Sequence, residues 1–140
     1  MPEISWKLHL SSPPEKVFEF LSTAAGRARF WAESAPEDNG FIHFNFINGL
    51  TYQGKILNCQ PYSLFELEYF HSVAKFTLTD DSMGGTDLHL LNTGVPEAEY
   101  LEVYPGWLSV LFALKGAVDF NIDLRNHDPA RTWDQRFVDN

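Results

Sequence analysis

Few side chains in this 140-residue chain have the type and spacing that chemistry requires. The single cysteine, Cys59, has no basic residue beside it to lower its pKa and no second thiol for a disulfide. Glu66 and Glu68 stand two apart, on one face of a strand, which points both carboxylates at solvent rather than at a shared proton. Asp80 and Asp81 fall in a turn. The chain carries no Gly-rich phosphate loop and no nucleophile elbow. His43 and His89 fall on the outward parity of their strands. His71 continues the inward series Phe65, Leu67, Tyr69, but it sits beside a turn and reads as a solvated strand end. His127, Asp128 and Asp134 are metal-ligand types at a spacing that matches no metal loop, so no metal and no cofactor is expected. No catalytic residue is assigned. What remains are the hydroxyls of Tyr52 and Tyr69 and the amide of Asn58, on the inward parity, groups that would orient a ligand rather than transform it.

The conspicuous feature is aromatic: twelve Phe, five Tyr and four Trp. Trp31, Phe44, Tyr52, Phe65, Tyr69, Phe76 and Trp107, with Leu111, either wall a ligand cavity or fill the space themselves, since protein interiors pack to crystal-like density. Nineteen carboxylates against ten Lys and Arg give a net charge of −9, which repels phosphate backbones and anionic lipid surfaces. Neither a nucleic-acid nor a membrane partner is expected. No apolar run reaches the about 18 residues that a membrane span needs. The N-terminus lacks the basic and apolar pattern of a secretion signal, and one cysteine fits a reducing compartment, so a cytoplasmic location is expected.

The elements that must position these rings read clearly. Ile4 to Leu10 alternates as a strand. Ser12-Pro13-Pro14-Glu15 predicts a helix start, with Ser12 as N-cap, Pro13 as first helical residue and Glu15 closing a capping box. Val17, Phe18 and Leu21 share its apolar face. Thr23 to Ala32 reads as a second short helix and Glu33 to Gly40 as a loop. Strands follow at Phe41–Ile47, Leu50–Gln60, Leu64–Phe70, Val73–Thr79 and Thr86–Thr93, the first two joined by the hairpin signal Asn48-Gly49. From Pro105 the stripe Trp107, Leu111, Leu114, Val118 has helical spacing, long enough to cross a small sheet. The sum is an α+β fold: a curved antiparallel sheet of about six strands, two short N-terminal helices and one long C-terminal helix.

This order, with Ser-Pro-Pro-Glu-Lys-Val-Phe at 12–18, Leu21 through Phe30-Trp31, and Gly106-Trp107-Leu108-Ser109-Val110-Leu111-Phe112-Ala113-Leu114-Lys115, resembles the helix-grip fold of the START-like, or SRPBCC, superfamily. Within it the chain is most similar to the bacterial branch named after the activator of a heat-shock chaperone's ATPase. The likeness covers residues 3 to 122, and the helix-grip domain is taken as 1–124. The resemblance implies a hollow between sheet and long helix that holds a small apolar or aromatic molecule without chemistry. Relatives also include cyclase- and hydrolase-type enzymes and co-chaperone-like modules, so a chaperone partner and a homodimer stand as alternatives. Residues 125–140 depart from the usual family ending. Arg125, Arg131 and Arg136 balance Asp128, Asp134 and Asp139 there, and the extension is expected to pack on the domain or on a second subunit, with Trp133 and Phe137 over Phe112 and Phe120.

Overall fold

The computed structural model describes residues 2–140. One antiparallel sheet holds seven strands: β1 (Ile4–Leu10), β2 (Glu37–Asp38), β3 (Phe41–Asn45), β4 (Thr51–Gln60), β5 (Leu64–Glu68), β6 (Val73–Asp80) and β7 (Thr86–Thr93), in the order β1-β7-β6-β5-β4-β3-β2. The seventh strand is β2, in the stretch read as a loop from sequence. Its two residues pair with Phe41 and Ile42 of β3. Helices α1 (Pro14–Ser22) and α2 (Ala24–Arg27) follow β1, and α3 (Tyr100–Phe120) follows β7. The alternation works as expected. Phe44, Phe65, Leu67, Phe76, Leu78, Leu88 and Leu90 are all buried, and on the outer face Glu66 stands opposite Lys75.

The sheet bends at β4. Thr51 to Lys55 pair with β3, whereas Ile56 to Gln60 pair with β5, and a bulge lies between Ile56 and Asn58. Gly54 marks the bend, because a Cβ there would lie 2.3 Å from the Glu68 carbonyl oxygen. The bulge shifts the side-chain parity by one. Asn58 therefore stands opposite outward-facing Glu66, not toward the helix, while Cys59, opposite the buried Phe65, is itself exposed. Strand β5 stops at Glu68 because the Tyr69 N–H bonds the Ser72 carbonyl, with Phe70 and His71 at φ +40° and +32°. That turn takes His71 out of the inward series. Its ring is exposed beside the Glu99 carboxylate at 3.2 Å.

Three helix boundaries differ from the sequence reading. Pro13 is the N-cap of α1 and Pro14 its first residue, with no side-chain cap. The Ser12 hydroxyl instead donates to Asp119 Oδ1 at 2.8 Å, and the Ser11 N–H donates to Asp119 Oδ2 at 2.9 Å, so β1 and α1 are tied to the end of α3. Helix α2 is only four residues long. A tight turn then carries the chain to Trp31, whose N–H bonds the Arg27 carbonyl at 2.8 Å. Helix α3 begins at Tyr100, five residues before Pro105. The proline lies close enough to the helix start to lose only one backbone bond. At 1.5 Å per residue its 21 residues span about 31 Å. Trp107, Leu111, Leu114 and Val118 face the sheet and are buried.

A buried cation that the sequence does not flag fixes the route from α2 to β2. Arg27 is fully buried. Its guanidinium donates to the Ala35 carbonyl from Nε at 3.0 Å and Nη2 at 2.8 Å, and to the Leu21 carbonyl from Nη1 at 3.0 Å. Burial pushes its pKa down and Glu37 offsets this.

Beyond α3 the chain folds back. Arg125 donates to the carbonyls of Ala28 and Ala32 at 2.7 and 2.8 Å and pairs with Asp123. His127 places Nδ1 2.7 Å from Glu33 Oε2 and Nε2 2.7 Å from Asp123 Oδ2. Asp128 pairs with Arg131, and Asp134 accepts from the Asn48 amide at 2.9 Å, so His127, Asp128 and Asp134 serve three separate contacts. Trp133 packs over α3, 3.8 Å from where a Cβ of Gly106 would stand. Phe112 and Phe120 stay 57% and 64% exposed; the tail does not cover them as the sequence reading expected, because Trp133 packs at Gly106, about two and four turns nearer the helix start.

Two measurements check these anchors. Arg27→Leu is expected to lower the urea-unfolding free energy by about 3 kcal/mol, because it strands two buried carbonyls, and Arg27→Lys to recover part of that loss; an unchanged midpoint for the leucine variant would contradict the anchor. His127 is raised above its ordinary pKa, first by the Asp123 hydrogen bond and then by Glu33, against partial desolvation. A raised folded pKa gives stability that is complete below the unfolded value of about 6.5 and is lost as pH rises through the folded value. The pair of contacts requires imidazolium, since neutral imidazole has one N–H for two carboxylates. His127→Asn, which tolerates the φ of +54° at this position, is expected to lower Tm at pH 6 and to match the parent at pH 9. The cost is of the size of a partly exposed ion pair, about 0.5–1 kcal/mol.

Candidate functional site

The residues singled out from sequence fall into one main group and two outliers. Trp31 stands at its centre, 4% exposed. Its ring centroid lies 5.0 Å from Phe44, 5.4 Å from Tyr69, 5.5 Å from Phe76 and 6.1 Å from Trp107. Tyr69 and Trp107 touch at 5.2 Å, and Phe76 and Trp107 at 5.9 Å. Tyr52 joins from β4, 6.0 Å from Tyr69 and stacked on Phe70 at 4.3 Å. Phe65 stands opposite Phe76 in the β5–β6 register and packs against Phe18, and Leu111 lies one helical turn beyond Trp107 among the buried residues of α3. Tilted and edge-on ring pairs of this kind are each worth about 0.5–1.5 kcal/mol beyond the area they bury.

The polar atoms of this cluster are spent in a chain of hydrogen bonds. Trp107 Nε1–H donates to Asn92 Oδ1 at 2.9 Å. Asn92 Nδ2 donates to Ser72 Oγ and to the Val73 carbonyl, both at 2.9 Å. The Ser72 hydroxyl donates to the Tyr69 carbonyl at 2.6 Å. Trp31 Nε1–H donates to the Tyr69 hydroxyl oxygen at 3.1 Å. No buried side-chain polar atom lacks a partner among the described residues. Burial pushes the Tyr69 phenol far above its ordinary pKa, and the Tyr52 phenol is raised by burial and by Glu68. Both are neutral at any pH at which the protein works.

Open space lies at the edge of this cluster. Trp31, Tyr69 and Trp107 form the floor of a cleft of about 230 Å³ between the start of α3 and the β3–β4 hairpin. Phe46, Leu50, Phe70, Val103, Val110 and Trp133 wall it, with Asn48 and Glu102 at the rim. A larger groove of about 410 Å³ adjoins it on the outer side of α3, against the tail, and shares Trp31, Val110 and Trp133. Phe46, Phe70 and Val103 were not singled out from sequence. Phe46 continues the inward parity of Phe44 past the end of β3, which was its available signal, whereas Phe70 is off the Phe65, Leu67, Tyr69 parity and is brought in by the turn at φ +40°.

Reactive groups are sparse here. The Cys59 thiol is pushed up by burial and by Glu37, away from the thiolate form. Among the described residues no three His, Cys, Asp or Glu side chains are grouped to hold a metal ion. Also among them, no helix is long and apolar enough to cross a membrane.

Solved structures share this architecture. SSP2350 from Staphylococcus saprophyticus superposes with a TM-score of 0.77 at 18% identity, over 89% of this chain and 96% of its own. The Aha1 dimer from Colwellia psychrerythraea gives 0.77 at 19%, over 86% and 98%. CV1439 from Chromobacterium violaceum gives 0.69 at 23%, over 85% and 99%. The comparison with curated proteins returns no match. The family model described as Activator of Hsp90 ATPase homolog 1-like protein matches residues 11–119, from the turn before α1 almost to the end of α3. On that match, and on the bent sheet gripping α3, the chain belongs to the Activator of Hsp90 ATPase homolog 1-like family, a branch of the START-like superfamily.

Proposed function

We propose that the protein binds a small aromatic molecule, without transforming it, in the cleft floored by Trp31, Tyr69 and Trp107. The observation behind this reading is that three rings of the core cluster are also the floor of open space. Deeper residues, Phe44, Phe65 and Phe76, are fully buried and serve as support. The volume fixes the scale: a cavity of about 150 Å³ holds one benzene, so about 230 Å³ suits a one- or two-ring molecule. The groups around the cleft are rings, aliphatic side chains, the amides of Asn48 (already bonded to Asp134 and Leu50) and Asn140, and the Glu102 carboxylate. That set binds and orients; a cyclase- or hydrolase-type reaction needs a converging acid and base.

The neutral two-ring probe 6-propionyl-2-(dimethylamino)naphthalene is expected to brighten on binding, with an affinity in the micromolar range. Val103→Trp fills the cleft from its wall and is expected to weaken binding at least tenfold while Tm changes little. Equal binding by parent and variant would place the probe elsewhere and overturn the assignment.

A second reading concerns a partner. The Colwellia relative is an Aha1 dimer, and on this chain Phe112, Phe120, Ile122 and Leu124 leave an apolar strip exposed along the outer side and end of α3. A homodimer through this strip is expected to shift toward monomer in light scattering when Phe112→Ser and Phe120→Ser are combined; a monomeric parent would dismiss it. Partnership with a chaperone rests on the family description alone.

A further inference from the structure

The Tyr69 hydroxyl has one half of its hydrogen-bonding capacity spent and the other half free. Its oxygen accepts the Trp31 indole N–H. Its own proton has no acceptor among the described residues, although the ring is enclosed by Trp31, Phe44, Tyr52, Phe70 and Trp107. The other indole and the amide at this level are committed: Trp107 to Asn92, and Asn92 to Ser72 and Val73. Tyr69 thus lines a mostly apolar cleft with its hydroxyl proton uncommitted, and it is made a better donor by already accepting from Trp31.

Resting on the binding reading above, we propose that Tyr69 selects the ligand class: flat aromatic molecules that carry a neutral hydrogen-bond acceptor, such as an aryl ketone or a quinone. The donor asks for an acceptor, and the apolar walls leave any other polar group of the ligand unpaired at a cost. Charge decides between neutral and anionic acceptors. Glu102 stands at the rim, no cation lines the cleft, and the chain carries a net charge of −9, so a carboxylate or phenolate would be repelled. The Trp31–Tyr69 pair also explains why Tyr69 is held still. Its hydroxyl cannot rotate out of the cleft without leaving the buried Trp31 N–H bare.

A matched pair of probes tests this: 2-acetylnaphthalene, which carries a carbonyl, and 2-ethylnaphthalene, which has nearly the same shape and none. Both are followed by quenching of the tryptophan fluorescence of the full chain. The ketone is expected to bind about tenfold more tightly, the scale of one well-made hydrogen bond. Tyr69→Phe is expected to erase the preference for the ketone over the hydrocarbon. The carbonyl stretch of the bound ketone, read on the unaltered protein by infrared difference spectroscopy, is expected to shift to lower frequency, which keeps the test independent of how the variant folds. Equal binding of both probes, both blocked by Val103→Trp, would overturn the role of Tyr69 while keeping the cleft. Binding of neither would overturn the cleft and this inference together.

Discussion

The wide gap between a bent sheet and a straight helix is the constraint on which the structure turns. The bend at Gly54 and the bulge before Asn58 swing the β3–β4 edge away from the plane set by β6 and β7, so the apolar stripe of α3 meets the far strands across a distance that aliphatic side chains do not bridge. Rings bridge it. Trp31 reaches up from the turn after α2 and Trp107 down from α3, and the two meet with Tyr69 and Phe76 between them. A gap closed this way has a hard floor rather than a deep hollow, and the open volume is displaced outward to the start of α3. The superfamily resemblance implied a hollow; in this chain the large aromatic count occupies most of it.

Filling a core with Trp and Tyr brings polar atoms inside, and each must be partnered. The chain from Trp107 through Asn92 and Ser72 to the Tyr69 backbone meets that demand for α3, and it crosses from helix to β7 to the turn after β5. These bonds fix the rotation of α3 about its axis, which hydrophobic contact alone leaves free. The Asp119 contacts to Ser11 and Ser12 fix the other end of the same helix. Burial alone would raise the Asp119 pKa, yet the donors from Ser11, Ser12 and Lys115 outweigh it and hold the carboxylate ionised.

How much of this can be read in the sequence follows from the range of the interactions. Strand parity is local, so Phe44, Phe65, Phe76 and the β7 leucines were legible as inward residues, and the helical spacing of Trp107, Leu111, Leu114 and Val118 was legible as a buried stripe. Parity fails wherever the backbone leaves the regular pleat. A bulge moved Asn58 outward, and a left-handed turn at Phe70 and His71 did the same to His71. The helix start was misplaced because a proline reads as a beginning, whereas the acidic residues before it form an extra turn. Arg27 gave no signal, since a buried arginine is recognisable only by the carbonyls around it. The His127 contact with Glu33 spans 94 positions, beyond any local pattern. Whether rings line a space or fill it depends on volumes of about 200 Å³, a difference that residue type does not encode.

The tail supplies the outer half of the picture. The family match ends at residue 119, yet Trp133 walls both the cleft and the adjoining groove. Its position depends on contacts that belong to no single element: Arg125 with the turn before β2, His127 with Glu33, and Asp134 with the hairpin residue Asn48. Each of those contacts has a charged partner and most are partly exposed, so they are more sensitive to pH and salt than the ring cluster beneath. The two layers therefore differ in stiffness. The floor of the cleft is set by packing and is insensitive to conditions, whereas its outer wall is set by electrostatics and shifts with them.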